Sequence, residues 1–317
     1  MGIGVLFPGQ GTQVPLMGAP WRLSSAWTVV EQAEEALEQP LAHLLLDPQG
    51  EGLERTRDAQ MAVFLSSLLA WEELRSRIDA PVAFAGHSLG QITALVASSA
   101  LSIRDGAVLA LRRADCTQAA ADQRPGAMAA LLGATVEQAQ LACASGVPGA
   151  DGRPSCWVAN DNGPGQVVIG GTPDGVEAAV ANALGLGVRR AVALKVAAAF
   201  HTPLMADAAM ALRVHLASVR FDRPSAPVVC NTDAQAHGDS DWADRLATHL
   251  TSPVRWRESV STLAQHGADE FYELGPGGVL AGLVKRCRPD SMVSGIAGPD
   301  DLPEPLLVAG STFGRTI

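Results

Sequence analysis

The sequence predicts an α/β protein, in which a mostly parallel sheet with helices on both faces is interrupted by a smaller α/β unit. Over most of the chain, short apolar runs of strand length alternate with longer segments whose apolar residues recur at helical spacing. Between residues 126 and 197 the order becomes βαββαβ, the ferredoxin-like arrangement. We therefore expect a large subdomain formed by residues 1–125 and 198–317, and a small subdomain, 126–197, inserted into it.

The composition is that of a globular protein and excludes several classes of function. Hydrophobic residues make up 47% and charged residues 18% of the 317 residues, and the formal net charge is −10. An acidic chain is a poor partner for nucleic acid, which requires a basic surface. The five cysteines are odd in number and show no C-x-x-C spacing, which argues against a disulfide framework and a zinc site. With no membrane-length apolar run and no targeting signal, we expect a cytoplasmic protein.

The first predicted strand covers residues 2–7 and ends in the glycine-containing loop Pro8-Gly-Gln-Gly-Thr-Gln13. Such a loop lets backbone amides approach a ligand closely, although this one lacks the lysine and spacing of a P-loop. Amphipathic helices are predicted over residues 27–37 and 58–74. Gln60, near the start of the second helix, is either a hydrogen-bonding residue of the helix end or part of a pocket.

The next segment has the pattern of a nucleophile elbow centred on Ser88. Residues 82–85 form an apolar strand, Gly86-His-Ser-Leu-Gly90 follows, and residues 91–98 carry apolar residues at helical spacing. A glycine on each side of the serine permits a strained turn in which helix and strand pass close together. The serine hydroxyl then lies at a helix N-terminus, which favours developing negative charge. The loop after the first strand should lie at the same edge of the sheet.

Ser102-Ile-Arg-Asp105 has the form of a capping box and begins a helix that we predict to run to about residue 121. Arg112 and Arg113 flank its apolar face from opposite sides. Helical geometry alone does not choose between them, and a solvated surface position is the alternative for either arginine.

The small subdomain and the remaining large-subdomain elements follow from the same periodicities. In the small subdomain we predict strands over 127–132, 156–159, 166–169 and 188–196, helices over 136–144 and 172–184, and a turn-rich connection over 160–165. After it we predict helices ending near 218, 250, 265 and 286, and strands over 227–230 and 270–274. His201 lies at the junction between the subdomains. It is either a structural histidine or the base that an activated serine needs from elsewhere in the chain.

Together these segments closely resemble the malonyl-CoA:acyl-carrier-protein transacylases and the acyltransferase domains of polyketide synthases. The match covers nearly the whole chain, in motifs that occur in the family's order: Phe7-Pro-Gly-Gln-Gly-Thr-Gln13, Gly86-His-Ser-Leu-Gly90, Arg113 with Gln118, residues 160–170, Ala199-Phe-His-Thr202, Ser252-Pro-Val-Arg-Trp256 and Glu273-Leu-Gly-Pro-Gly277. The resemblance implies an α/β-hydrolase-like large subdomain and a ferredoxin-like small one, which agrees with the fold predicted above.

The resemblance also assigns catalytic roles. Ser88 corresponds to the nucleophile that takes an acyl group from a thioester, and His201 to the base that removes its proton and later activates the incoming thiol. The backbone amides of Gln10 and Leu89 correspond to the oxyanion hole. In the family the residue at the position of His249 orients the catalytic histidine through its backbone carbonyl, so the triad has no carboxylate.

The resemblance further implies a malonyl substrate. Arg113 corresponds to the arginine whose planar guanidinium holds the free carboxylate of the acyl group. Phe200 matches members that accept malonyl, because its ring fills the space that a methyl branch would need. Gln91 and His249 depart from the family pattern, which usually has glutamate and glutamine there, and a second histidine near the pocket could alter the acyl preference or the pH profile.

We therefore expect an acyltransferase that passes a malonyl group from malonyl-CoA, through Ser88, to the phosphopantetheine thiol of an acyl carrier protein. No metal or other cofactor is expected, and the protein should be a monomer that binds neither membrane nor nucleic acid. The alternatives are a polyketide-pathway acyltransferase with an unusual cargo or carrier-to-carrier transfer, a serine esterase or thioesterase, and a catalytically silent docking module. Basic residues are either docking sites for the acidic carrier or ordinary surface charges: Arg189, Arg190, Lys195, Lys285, Arg286 and Arg288.

Overall fold

A computed structural model describes residues 2–145, 152 and 154–305 of the chain. The strands are β1 Gly2–Phe7, β2 Ala83–Gly86, β3 Ala127–Leu132, β4 Cys156–Gly163, β5 Gln166–Gly171, β6 Arg190–Ala193, β7 Val228–Val229, β8 Ala236–His237, β9 Ala268–Leu274 and β10 Met292–Ile296. The longer helices are α1 Thr28–Leu37, α2 Ala42–Leu46, α3 Thr56–Leu74, α4 Gly90–Ala97, α5 Ile103–Gln123, α6 Val136–Ala144, α7 Pro173–Gly185, α8 Ala206–Leu216, α9 Ala243–His249, α10 Trp256–Gln265 and α11 Val279–Cys287. None of the helices in these ranges is long and apolar enough to cross a membrane.

The large sheet has the order β10-β9-β1-β2-β7-β8, and its strands are parallel except for the final β7–β8 hairpin. The predicted, mostly parallel sheet is confirmed. Two of its strands were not predicted from the sequence. β8 has only two residues, and β10 is an edge strand with one buried residue, so neither carries the apolar run that marks an interior strand.

Side chains alternate between two apolar layers on the faces of the large sheet. Val5 and Phe7 belong to the apolar cluster that also holds buried residues of α1, α3, α4, α5, α8 and α9, whereas Leu6 belongs to the cluster that holds buried residues of α10 and α11. The central helix α3 is buried on nearly every side from residue 59 to 71, so it is less amphipathic than predicted. The sheet is therefore covered on both faces, as a parallel sheet requires.

The second sheet is antiparallel and has the order β4-β5-β3-β6. With α6 and α7 on one face, this is the predicted ferredoxin-like arrangement, and the two-subdomain α/β fold class is confirmed. Ala129, Leu131 and Ile169 face these helices, while Met128, Ala130 and Val168 form the opposite face. That second face forms one wall of a cleft against the large subdomain, whose helices α10 and α11 contact β4.

Three local predictions need correction. The connection predicted over residues 160–165 is mostly strand, because Asn160 and Asp161 continue the pairing of β4 with β5. On the other side, Val254 donates to the Ala159 carbonyl and accepts from the Asp161 amide. The last small-subdomain strand is only β6, shorter than predicted. At the start of α5, the Ser102 hydroxyl accepts from the Asp105 amide, as predicted. The Asp105 carboxylate, however, accepts from the Ser102 hydroxyl and not from the Ser102 backbone amide, so the capping box is incomplete.

Candidate active site

Ser88 lies in a tight turn between β2 and α4, with backbone φ 55° in the left-handed region. The two flanking glycines leave no room for a side chain. A Cβ on Gly86 would lie 1.8 Å from the carbonyl oxygen of Gly90, and a Cβ on Gly90 would lie 2.0 Å from that of Phe7. The glycines therefore allow the strained turn that places the serine at the start of the helix.

His201 lies against Ser88 with its Nε2 2.7 Å from the serine Oγ. Its Nδ1 is 2.9 Å from the backbone carbonyl oxygen of His249, so Nδ1 carries the proton and Nε2 is free to accept one. Burial, and then the positive charge of Arg113, lowers the pKa of His201 to about 3. The imidazole is thus neutral at physiological pH, the form a general base needs.

Arg113 is buried beside the serine, whereas its neighbour Arg112 is exposed. Its Nη2 donates to Ser88 Oγ at 2.9 Å, and its Nη1 donates to Gln60 Oε1. Burial lowers the pKa of Arg113 to about 10, which leaves it charged at neutral pH. No carboxylate in the described ranges lies within ion-pair distance of it. Within the described part of the chain, the site therefore holds a buried cation without an anionic partner.

Gln60 belongs to the wall of the site and is not a helix-end residue. It is fully buried, and its Nε2 donates to Thr117 Oγ1 at 3.3 Å while its Oε1 accepts from Arg113. Gln118, on the face predicted to turn inward, instead bonds to Asp122 away from the cavity. Thr117 was missed by sequence reasoning because helical spacing locates a face only to within one position.

The loop after β1 lies against the serine turn, as its sequence position predicts. His87 N donates to the Phe7 carbonyl oxygen at 2.9 Å, and a Cβ on Gly9 would be 2.6 Å from the His87 oxygen. In the described part of the chain, the amides of Gln10 and Leu89 have no hydrogen-bond acceptor. Gln10 lines the same cavity as Ser88, and Leu89 follows Ser88 in the turn, so both amides are available as the predicted oxyanion donors.

Asn231, which sequence reasoning missed, anchors the serine turn from the neighbouring strand. Its Oδ1 accepts from the Ser88 amide at 2.9 Å, its Nδ2 donates to the Gly86 carbonyl at 2.8 Å, and its backbone amide donates to Gln91 Oε1 at 2.7 Å. A signal was present in the sequence, since Asn231 follows the buried strand β7, which pairs with β2. Polar residues that follow adjacent parallel strands meet at the same sheet edge.

His249 contributes its carbonyl to the site and buries its ring behind His201. The two imidazole rings lie 4.7 Å apart at 33°, and the His249 side chain is 1% exposed. Burial, followed by the charges of His201 and Arg113, holds the pKa of His249 well below 6.5. Its Nε2 has no partner in the described residues, so the ring acts as neutral packing against the base.

A cavity of about 540 Å³ connects these groups to the small subdomain. Met128, Ala130 and Val168 from the small sheet form an apolar wall opposite Ser88, and Leu283 of α11 lies along one side. Phe200 lines the cavity and packs against both subdomain cores. The shape is a deep polar end lined by the serine, histidine and arginine, with an apolar approach, which suits a long substrate carrying its reactive group at the tip.

His87 closes the polar end on the side of the small subdomain. Its Nε2 is 2.9 Å from Asn162 Oδ1, and its ring lies 5.4 Å from that of Trp256. Burial lowers the pKa of His87. Asn162 was predicted to lie in a turn, and its place on β4 brings it to the site. This contact joins the serine turn to the small subdomain.

A serine, a neutral histidine aligned by a carbonyl, two free amides and a buried arginine define a serine acyltransferase on a two-subdomain α/β fold. Residues 5–296 match the acyl transferase domain family. The malonyl CoA-acyl carrier protein transacylase of Bacillus subtilis is 35% identical over 95% of both chains, and that of Escherichia coli K12 is 36% identical over 89% of this chain and 91% of its own.

Solved structures give the same result. The malonyl-CoA:acyl carrier protein transacylase of Xanthomonas oryzae pv. oryzae superposes with a TM-score of 0.86 at 37% identity, covering 94% of this chain and 95% of its own. A malonyl-transacylase in complex with its type II polyketide synthase carrier protein has a TM-score of 0.88 at 30% identity, covering 95% and 97%. The chain therefore belongs to the acyl transferase family and, within it, to the malonyl CoA-acyl carrier protein transacylases.

Proposed function

We propose that the protein transfers a malonyl group from malonyl-CoA, through an ester on Ser88, to the phosphopantetheine thiol of an acyl carrier protein. The observation that carries the proposal is the buried guanidinium of Arg113, which lies 2.9 Å from the nucleophilic oxygen and has no carboxylate partner among the described residues. A malonyl thioester places its free carboxylate two carbons beyond the carbonyl that Ser88 attacks, within reach of that guanidinium. The two parallel N–H donors of an arginine match the two oxygens of this carboxylate.

In the first half-reaction, Nε2 of His201 takes the proton of Ser88 as Oγ attacks the thioester carbonyl. The amides of Gln10 and Leu89 hold the resulting oxyanion. As the intermediate collapses, the carbon–sulfur bond breaks and the imidazolium gives its proton to the departing CoA sulfur. In the second half-reaction His201 takes the proton of the phosphopantetheine thiol, the sulfur attacks the ester, and the proton returns to Ser88.

Substrate binding prepares the base for this role. In the free enzyme, Nη2 of Arg113 donates to Ser88 Oγ, so the arriving carboxylate competes with the serine for that donor. Pairing with the carboxylate also neutralises the charge of Arg113, which is one cause of the lowered pKa of His201. The pKa of His201 therefore rises in the complex, and the base becomes stronger when a dicarboxylic acyl group is present.

Phe200 and the surface at the mouth of the cavity set the remaining specificity. The Phe200 ring occupies the space where a methyl branch would project, which favours malonyl over methylmalonyl. Lys195 is exposed and lines the cavity, and the basic residues Lys285, Arg286 and Arg288 lie at or just beyond the end of α11, whose Leu283 lines it too. The exposed Lys195 supports a docking role near the cavity, because an acidic carrier that presents its phosphopantetheine arm there would meet a positive charge.

The chain supplies the nucleophile, the base, the oxyanion donors and the carboxylate-binding cation, so we propose that the transfer needs no resident cofactor. All these groups come from one chain, which fits a monomer, and the five free cysteines fit a reducing cytoplasm. One relative is named for polyketide biosynthesis, whereas the names of others state no pathway. The chemistry of the site serves fatty-acid and polyketide synthesis alike.

The test is intact-protein mass spectrometry after brief incubation with malonyl-, methylmalonyl- or acetyl-CoA, with Ser88→Ala as the control. We expect a malonyl mass on the wild type alone, which moves to a carrier protein bearing phosphopantetheine and not to one lacking it. Equal labelling by acetyl-CoA would refute the role of Arg113. Steady release of malonate without an acceptor would indicate a hydrolase, and labelling that survives Ser88→Ala would refute the nucleophile.

A further inference from the structure

A cluster of metal-binding side chains lies in the turn between β7 and β8, outside the catalytic cavity. The ligand atoms of Cys230, Asp233 and His237 all lie within 4.8 Å of one another, and His237 Nε2 is 2.9 Å from Asp233 Oδ2. Donors bound to one tetrahedral zinc ion at about 2.0–2.3 Å are roughly 3.3–3.8 Å apart. Small side-chain movements would therefore bring the three donors around one ion. The spacing C-x-x-D-x-x-x-H lacks the paired cysteines from which a zinc site is expected, so the sequence pattern argued against it.

The groups around these donors are those that support a bound metal. Asp239 Oδ2 lies 3.8 Å from His237 Nδ1, the ring nitrogen that would face away from the ion, so a small side-chain movement would let it accept that ring N–H as second-sphere carboxylates do. The Thr232 hydroxyl lies 3.1 Å from Cys230 Sγ and can donate to a thiolate. The edge of the Trp242 ring packs against the imidazole, with ring centroids 5.9 Å apart.

The local charges leave room for a cation. Two arginines lie nearby, but each is already paired with another carboxylate. Arg245 bonds to both oxygens of Asp239, and Arg255 bonds to both oxygens of Glu258. Asp233, whose side chain is 42% exposed, accepts the Gln235 amide on Oδ1 and directs Oδ2 toward His237, and it remains open on the solvent side. An ion can approach from that side, and water can complete its coordination.

We propose that Cys230, Asp233 and His237 bind a zinc ion, with water as the fourth ligand. A thiolate, an imidazole and a carboxylate form a donor set that suits Zn²⁺ better than Mg²⁺ or Ca²⁺, which prefer oxygen ligands alone. The ion would fasten the two ends of the β7–β8 turn. That turn begins with Asn231, whose side chain holds the Ser88 amide, so the metal would stabilise the support of the nucleophile.

Cobalt provides the direct test, because a cobalt–thiolate bond gives a charge-transfer absorption band that imidazole and carboxylate ligands do not. The full-length, reduced protein is freed of metal with EDTA and titrated with Co²⁺, and the bound cobalt is then displaced with Zn²⁺. We expect one equivalent of cobalt with a thiolate band, lost in Cys230→Ser. Binding at the histidines of the catalytic cavity would give no such band.

Since removing a second-sphere partner costs roughly 10- to 100-fold in metal affinity, losing a ligand should cost at least ~10-fold. We expect this loss in His237→Gln and Asp233→Asn, both at partly exposed positions. Cys116→Ser and His266→Gln, which change a half-buried thiol and an exposed imidazole elsewhere, are the matched controls. Zinc at 100-fold over its Kd should raise the Tm of the wild type by about 4 °C, and not that of His237→Gln.

Each contrary result would overturn the proposal. No thiolate band at stoichiometric cobalt would exclude the site. A band that persists in Cys230→Ser, or that disappears in Cys116→Ser, would place the metal elsewhere. Unchanged affinity in both His237→Gln and Asp233→Asn would show that the turn does not provide the ligands. The Tm of each variant without metal checks that the variant is folded.

Discussion

Replacing Arg113 with alanine should change which acyl group the enzyme accepts more than it changes the chemistry at Ser88. Arg113 is 5% exposed, and its Nη2 lies 2.9 Å from the serine oxygen. In the malonyl complex it would donate two charge-assisted hydrogen bonds to the carboxylate. An acetyl group offers no such acceptor and leaves the buried charge of Arg113 unpaired. Arg113→Ala therefore removes a favourable interaction with malonyl-CoA, whereas for acetyl-CoA it removes an unpaired buried charge.

The structure sets the size of the effect. A hydrogen bond to a charged group contributes about 1.5–3 kcal/mol, and two such bonds, less the hydration that the variant regains, amount to about 3–4 kcal/mol. That corresponds to a loss of roughly 100- to 1,000-fold in kcat/KM for malonyl-CoA. For acetyl-CoA we expect no loss and a gain of up to about tenfold. Arg113→Lys should fall between, because it keeps the charge but not the paired donors.

The assay is the rate of Ser88 acylation by malonyl-CoA and by acetyl-CoA, followed by rapid quenching and intact-protein mass spectrometry. Arg112→Ala is the matched control, since this arginine is the exposed neighbour on the same helix and should leave both rates unchanged. Retained acetylation shows that the Arg113 variant is folded. A loss shared equally by both substrates at unchanged Tm, or an equal effect of Arg112→Ala, would refute the carboxylate-binding role.

Three further predictions concern the base, the serine turn and the acyl pocket. The neutral form of His201 is the active one, and its pKa is lowered to about 3. We therefore expect kcat/KM for acylation to stay level as the pH falls from about 8 through 6.5 to about 5. A kcat/KM that falls to half near pH 6.5 would contradict the lowered pKa of His201. Gly90→Ala should lose at least ~3 kcal/mol in denaturant unfolding, because its Cβ would meet the Phe7 carbonyl oxygen at 2.0 Å, whereas Gly282→Ala, in open space on a helix, should gain about 0.5–1 kcal/mol. Phe200→Ala should raise the ratio of the acylation rate with methylmalonyl-CoA to that with malonyl-CoA about tenfold. An unchanged ratio would show that the Phe200 ring does not exclude the methyl branch.

The serine turn was predictable because its determinants are local. A buried strand, two glycines two positions from the serine and an apolar helix lie within one short segment, and the structure places them as that pattern requires. The βαββαβ unit was predictable for the same reason, since each strand and helix carries its own periodicity. Element ends were less accurate, as at β4, where polar residues continue a strand that sequence alone would end.

The residues missed from the site are those brought to it by contacts distant in sequence. Asn231 is 143 positions from Ser88, and Asn162 is 75 positions from His87. Their side chains are ordinary amides in polar segments, which sequence reasoning assigns to turns. Only the order of strands in the large sheet, with β7 beside β2, and the position of β4 at the mouth of the cleft bring them to the nucleophile.

Two departures from the family pattern indicate which property of a residue this site requires. Gln91 replaces the usual glutamate, and its Oε1 still accepts the Asn231 amide at 2.7 Å, as a carboxylate oxygen would. His249 replaces glutamine, but His201 is aligned by a backbone carbonyl, which any residue supplies. In both cases the acceptor is kept and no charge is added. Helix α4, which follows Ser88, therefore carries no negative charge at residue 91 to counteract the positive charge of Arg113. The site favours an anionic acyl group before any substrate arrives.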